Sequence, residues 1–259
     1  MKCVKMAAWG GIAGLTLMIR LSTGAGDAYQ GTSLRPVVEA SQQQSPASVE
    51  MPVYIPPPRG TPGGRVGGSS RGLDGGLNDR LPGLSVLAPD HTGLTVQEQP
   101  SLYWYLSKST TYPIELTVID DQTIQPLIER RMSGPVQPGV QRVRIADYGR
   151  RLSPGVPYRW SVAVVVDPES RSKDILAGGF IQRIALPEAL RAQLAGAGKA
   201  RVPFIYAEAG LWYDALAALS ELIEAAPHDM LLRRQRAALL EQVQLAEIAQ
   251  DDMRLYPTK

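Results

Sequence analysis

The 259-residue sequence predicts a two-sheet antiparallel β-sandwich followed by an all-α region. Three observations carry that expectation. Between residues 84 and 186, short β-rich runs recur with turn signals roughly every 8–15 residues. Several of these runs alternate apolar and polar side chains at period 2. After Pro187 the texture changes to Leu-, Ala-, Glu-, Gln- and Arg-rich sequence with apolar residues at helical spacing.

The runs lie at 84–89, 93–99, 101–107, 113–120, 125–132, 140–146, 158–166 and 175–186. In 158–166, Tyr158, Trp160, Val162, Val164 and Val166 fall on one face. In 140–146, Val140, Arg142 and Arg144 share one face, and Gln141, Val143 and Ile145 the other. Strands in this number over about 100 residues suit a sandwich, placed here at 82–186. Leu152, a Pro154–Gly155 turn, Tyr158 and the strand after it resemble the tyrosine corner of fibronectin type III and immunoglobulin-like domains. Trp104 resembles the core tryptophan of an early strand in such domains. The resemblance implies an immunoglobulin- or fibronectin III-like antiparallel sandwich, with Trp104, Tyr158 and Trp160 as structural residues. The other reading makes them ordinary core aromatics of a different β-fold.

Residues 187–256 form the helical part. Ala215, Leu219, Leu222 and Ile223 make one apolar stripe, and Asp229 to Tyr256 holds neither glycine nor proline. Gly210, Ala215 and Pro227 match the spacing of the second helix of a tetratricopeptide repeat. Trp212, Leu219 and Tyr206 fill its aromatic and large apolar places. Pro203 stands where that repeat prefers glycine, and no second copy is visible. The resemblance implies a single repeat-like helical hairpin, either a cap on the sandwich or a docking point for another protein.

The opening residues read as an address. Lys2 and Lys5 precede an apolar run from Met6 to Ile19, closed by Arg20 and small residues. Its length suits a secretory signal rather than a spanning helix. Residues 1–28 are therefore expected to be a cleaved signal peptide, cut after Ala25 or Ala28, with export to the periplasm or extracellular space. Membrane attachment would arise only through an uncleaved signal. The net charge of the whole chain is +2, from 27 basic and 25 acidic residues. Cleavage after Ala25 removes Lys2, Lys5 and Arg20 and no acid, so 24 basic residues face 25 acidic ones. Wholesale attraction to nucleic acid or anionic lipid is not indicated. Cys3 is the one cysteine and lies in the leader, so the exported chain has no disulfide to rely on.

Residues 29–80 are polar, Pro- and Gly-rich, and predict a disordered tail. Within it, PPPRGTPGGRVGGSSRG spaces Arg59, Arg65 and Arg71 six residues apart in otherwise uncharged sequence. One reading is a flexible basic linker. A second gives the guanidiniums an acidic partner or surface to grip. A third folds 54–72 back along the sandwich, its glycines allowing close backbone approach. Export argues against nucleic acid, and no Gly-Lys-Ser/Thr follows to make a phosphate loop. Trp212 and Tyr213 form the densest aromatic spot, read either as packing at a helix–helix turn or as anchors of a partner groove.

No metal or cofactor is indicated: the two histidines, His91 and His228, lie far apart, and Asp120–Asp121 and Asp251–Asp252 lack calcium-loop spacing. His91 reads as an exposed turn residue, and no nucleophile elbow occurs. The order and spacing of Pro58 to Arg65, Gly67–Gly68, Tyr103 to Leu106, Leu152 to Trp160 and Gly210 to Leu216 resemble one family. It is the uncharacterised family of exported bacterial proteins, common in cyanobacteria, termed domain of unknown function 928. That resemblance brings no activity, cofactor or catalytic residue. The reading is a non-catalytic periplasmic or extracellular interaction module, binding another envelope protein or acidic surface through Arg59, Arg65, Arg71, Trp212 and Tyr213. The alternative is an envelope carbohydrate-binding protein or hydrolase. Intact-mass analysis of the exported chain should find Gly26 or Tyr29 first; a soluble cytosolic chain that keeps Met1 would overturn the compartment.

Overall fold

Each of the eight β-rich runs carries a strand. A computed structural model describes residues 49–58, 63–67, 81–120 and 122–254; the expected signal peptide, residues 1–28, and most of 29–80 lie outside the described residues. These residues belong to one compact unit, Val49–Lys259. The strands are β1 Leu84–Val86, β2 Gly93–Thr95, β3 Ser101–Leu106, β4 Ile114–Asp120, β5 Ile128–Met132, β6 Gly139–Arg144, β7 Pro157–Val164 and β8 Ile175–Arg183. Five helices follow among the described residues: α1 Glu188–Gly196, α2 Val202–Glu208, α3 Trp212–Ala225, α4 Met230–Gln242 and α5 Ala246–Arg254.

Two sheets form, in the orders β1-β3-β6 and β2-β8-β7-β4-β5. Their facing side chains share one buried core, in which Tyr158, Trp160, Val162 and Val164 of β7 meet Val86, Leu102 and Trp104. The fit is close: a Cβ on Gly179 of β8 would stand 2.7 Å from the Ala88 Cβ. The tyrosine-corner contact is present, with Tyr158 Oη accepting from the Ser153 N–H at 3.2 Å across the Pro154–Gly155 turn.

The expectation of wholly antiparallel sheets needs one correction. β2 runs parallel to β8, pairing Gly93 with Ile181 and Thr95 with Arg183. The chain leaves the three-stranded sheet after β1, passes Pro89, and joins the other sheet as β2. Proline lacks the N–H needed to continue a ladder, so the chain changes sheets there.

The helices make a third layer on the outer face of the three-stranded sheet. β3 is therefore buried on both faces: Leu102, Trp104 and Leu106 face the other sheet, while Tyr103 and Tyr105 face helices. Tyr105 Oη donates to Asp251 of α5 at 3.2 Å. α2–α3 and α4–α5 are successive helical hairpins, so a second hairpin stands where the sequence showed no second copy. The uninterrupted 229–256 stretch breaks at Gln244, whose φ of 62° is left-handed. Leu245 N–H bonds to the Leu240 carbonyl and Gln244 N–H to that of Glu241, a Schellman closure with glutamine in glycine's usual place.

The largest departure concerns the expected tail. Residues 49–58 form a strap across the helices. Tyr54 N–H donates to Gln242 Oε1 at 2.8 Å, Ile55 N–H to the Ala207 carbonyl at 3.1 Å, and Gln235 Nε2 to the Glu50 carbonyl at 3.2 Å. Tyr54 sets its ring edge-on to Trp212 at 5.1 Å. Residues 63–67 run along β8, where Val66 and Gly178 exchange backbone hydrogen bonds of 2.8 and 3.1 Å. Residues 63–67 follow the fold-back reading along the sandwich, whereas 49–58 are ordered across the helices, a course that none of the readings placed there.

α3 is joined to the core by two aromatic donors. Trp212 Nε1 donates to the Leu87 carbonyl at 2.9 Å. Tyr213 Oη donates to the Phe180 carbonyl at 2.9 Å and accepts from Trp160 Nε1 at 2.8 Å. The Tyr213 ring lies against Gly93, where any Cβ would come within 2.7 Å of it. Tyr213→Phe leaves the Trp160 N–H and the Phe180 carbonyl without this partner, and should cost about 2–3 kcal/mol in urea unfolding; a loss under about 0.5 kcal/mol would show that the hydroxyl is not what holds α3.

Candidate functional site

The arginine–glycine strip meets the body at Arg65. Its guanidinium donates to the carbonyls of Ala88 at 3.0 Å, Val243 at 2.9 Å and Gln244 at 3.4 Å, and its N–H to Asp90 Oδ1 at 3.2 Å. Val243 and Gln244 end α4, so the cation meets carbonyls at the negative end of a helix dipole. Arg65 is therefore an internal clamp rather than a group that grips a partner. Arg59 and Arg71 lie outside the described residues.

Trp212 and Tyr213 are 0% and 1% exposed. The packing reading holds for both, and the partner-groove reading is corrected: their polar atoms are spent inside the core, and no ring face is open to a partner. Trp104, Tyr158 and Trp160 are buried core residues. His91 is half-buried rather than exposed, with Nε2 2.9 Å from Tyr54 Oη and the two rings stacked. Burial lowers its pKa, against a smaller opposing pull from Asp90.

Where the strip pairs with β8 it lines a groove on the outer face of the five-stranded sheet. The groove holds about 280 Å³, between Val66, Ile119, Arg159, Leu176 and Phe180. Val66 is 49% and Leu176 47% exposed, an apolar pair on a face that strand alternation would fill with polar groups. Gly63 explains one glycine of the strip: a Cβ there would sit 2.8 Å from the Phe180 ring.

A second cavity, of about 370 Å³, opens where α3 meets the end of β2. Asp214, Glu221, Tyr206, Gln97 and Gln99 are on its wall. Asp214 is 4% exposed, and its Oδ2 accepts the Val96 N–H at 3.1 Å. Burial pushes its pKa up to about 6, partly offset by hydrogen bonds from Thr95, Val96 and Gln97. Glu221 follows seven residues later on the same helix face, about 10 Å along the axis. The sequence reading quoted Asp214 only as the end of the aromatic cluster. An acid two residues after a buried tryptophan, in a helix's first turn, was the available signal.

A third cleft, about 330 Å³, lies between the three-stranded sheet and α3 to α5. It exposes a buried charged network centred on Asp252, which the sequence reading named with Asp251 only as an adjacent pair lacking calcium-loop spacing. The structure separates them: Asp252 is 0% exposed, whereas Asp251 pairs at the surface with Arg254. Adjacent helical residues point in different directions, which accounts for the split. Among the described residues no cluster of three His, Cys, Asp or Glu side chains is placed to hold a metal ion. No described helix is long and apolar enough to cross a membrane.

Fold and sites together define a two-sheet β protein with a helical layer and several surface clefts. The chain belongs to the family described as Domain of Unknown Function (DUF928), whose model matches residues 66–253. The matched stretch spans all eight strands and reaches into α5, and the strap at 49–58 precedes it. No curated protein and no solved structure matched the chain.

Asp214 carries a pH dependence. Its folded pKa of about 6 lies above the ordinary carboxyl value, so its contribution to stability is complete below pH ~4 and is lost as pH rises through 6. Urea unfolding at pH 4 and 7.5 should show the native protein losing up to about 3 kcal/mol relative to Asp214→Asn over that interval. Parallel pH curves for the two proteins would refute it.

Proposed function

We propose that the protein is a non-catalytic interaction module of the cell envelope, which meets another envelope protein through the outer face of its five-stranded sheet. One observation carries this reading. Leu176 and Val66, each about half exposed, flank an apolar groove beside the Arg159 guanidinium. Contiguous exposed apolar surface on a sheet face is a mark of an interaction site. The partner's surface would be apolar with an acidic rim, suiting Arg159.

The scaffold in this reading is an immunoglobulin-like sandwich. The strand orders support it, as do the tyrosine-corner contact at Tyr158 and the buried Trp104 of an early strand. The paired hairpins α2–α3 and α4–α5 support a tetratricopeptide-like layer that braces the sandwich. The leader and the lack of cysteine after Cys3 support an exported, disulfide-independent chain.

A specific observation favours a second reading. Asp214, with its raised pKa, lines the same cavity as Glu221, and two carboxyl groups flanking one cavity are what glycoside hydrolysis uses. Glycan arrays and hydrolase assays on the purified protein separate the readings, since saturable sugar binding or turnover lost in Asp214→Asn favours the second.

Photo-crosslinking in intact cells tests the first reading. A crosslinker at position 176 should give one discrete adduct, abolished by Val66→Glu. The same group at position 231, where Leu231 is 41% exposed on α4, should give none. Identical patterns at both positions would end the proposal.

A further inference from the structure

The cleft between the three-stranded sheet and the helices has a charged floor. Arg236 forks Asp252, with Nε 2.9 Å from Oδ2 and Nη2 2.7 Å from each carboxylate oxygen. Arg236 Nη1 also reaches Ser220 Oγ at 3.4 Å. Arg233 donates through Nε and Nη2 to the Pro227 carbonyl, and its Nη1 stands 3.9 Å from Asp252 Oδ1. Arg233, Arg236, Asp252 and Ser220 are all at most 5% exposed. At the mouth, Arg142 of β6 pairs with Glu224 of α3 at 2.9 Å. The walls thus bring three guanidiniums together with two carboxylates, with Glu221 also near enough to act on Tyr103.

Tyr103 supplies an independent observation. It is 1% exposed, yet Oη makes no hydrogen bond of normal geometry among the described residues. Burial raises its pKa, with the Arg142 guanidinium beside it pulling the other way. Arginine has only donors, so the hydroxyl proton facing it has no acceptor there. A buried donor without an acceptor costs roughly 1–3 kcal/mol, and such a group in a native cleft calls for an explanation.

We propose that this cleft binds a small organic carboxylate carried on an apolar body. The carboxylate would take the Tyr103 hydroxyl proton on one oxygen and the planar donors of Arg142 in a fork. Glu224 already shows that a carboxylate fits against Arg142. Half-exposed, it forms a surface pair worth at most about 1 kcal/mol, so a ligand can displace it at small cost. Val140, Ile223 and Pro227 line the same cleft and would cover the apolar body. A free acid and the C-terminal carboxylate of a peptide offer the same chemistry. This site lies on the opposite side of the sandwich from the apolar groove and does not depend on a partner docking there.

The test is calorimetric titration of the whole exported chain with benzoate, benzamide and inorganic phosphate. A hydrophobic tripeptide with free or amidated C-terminus completes the series. Benzoate should bind saturably at one site and benzamide should not. Tyr103→Phe should weaken benzoate about tenfold while leaving the thermal midpoint without benzoate unchanged or higher, because it removes an unpartnered hydroxyl. Arg142→Gln should lose binding, and its circular dichroism should match the unaltered chain. Binding of the free-carboxylate tripeptide but not its amide identifies a chain terminus as the source; benzoate alone identifies a free acid. Equal binding of benzoate and benzamide, phosphate without benzoate, or unaltered benzoate affinity in Tyr103→Phe would each overturn the assignment. So would a drop in the thermal midpoint of Tyr103→Phe, which would make the hydroxyl a structural group.

Discussion

The hydroxyl of Tyr213 is the point on which the structure depends. It lies inside a β core, donates to one backbone carbonyl of β8 and accepts an indole N–H from β7. The indole N–H is buried and the Phe180 carbonyl partly so, and a buried polar group left without its partner is costly, so the three are best satisfied together. Their alignment sets how deep α3 enters and, through Trp212 and Leu87, which end of the helix enters. The layer built from α2, α4 and α5 then follows from α3. Gly93 is the cost on the sheet side, since no other residue leaves room for the ring.

The same tyrosine helps to close a sheet edge. Along β8, Val66 pairs with Gly178, the Tyr213 hydroxyl takes the Phe180 carbonyl, and β2 pairs with 181–183. Three separate parts of the chain thus cover one strand edge that would otherwise invite pairing with another molecule. Arg65 fastens this arrangement to the end of α4, and the 49–58 strap fastens α2 and α4 in turn. A chain with no cysteine after Cys3 distributes over many such links the constraint that a few crosslinks would supply.

Charge is used sparingly and deep. The Arg236–Asp252 pair is wholly buried and joins α4 to α5, with Ser220 drawing in α3. Removing one partner from such a pair costs several kcal/mol, whereas an apolar replacement of both is often neutral. The pair's place in an open cleft, beside an unanswered tyrosine hydroxyl, is easier to understand as a binding feature than as a source of stability. At the surface, pairs such as Arg171–Glu115 and Lys173–Asp167 add little to stability, because solvent screens them.

Local pattern was enough to find the strands. β-rich runs between turn signals located all eight strands, and several also showed period-2 alternation, because a strand with one buried face records it in the pleat. The change to helix after Pro187 was equally legible, since good helix formers dominate, Asp229 to Tyr256 holds neither glycine nor proline, and the apolar stripe recurs at helical spacing. The tyrosine-corner contact also rested on local sequence, with donor and acceptor five residues apart. What tertiary structure decided is everything set by residues far apart in the chain. Arg65 meets carbonyls 178 and 179 residues away, and Tyr54 meets Gln242 across 188. Strips that look too poor in apolar residues to order are held by partners that local composition cannot reveal. Trp212 and Tyr213 read equally well as anchors or as core, because an amphipathic aromatic suits either, and only the neighbouring backbone carbonyls chose between them. The clefts belong to the same class: Asp214, Tyr103 and Asp252 acquire their character from burial, and burial is a property of the folded whole.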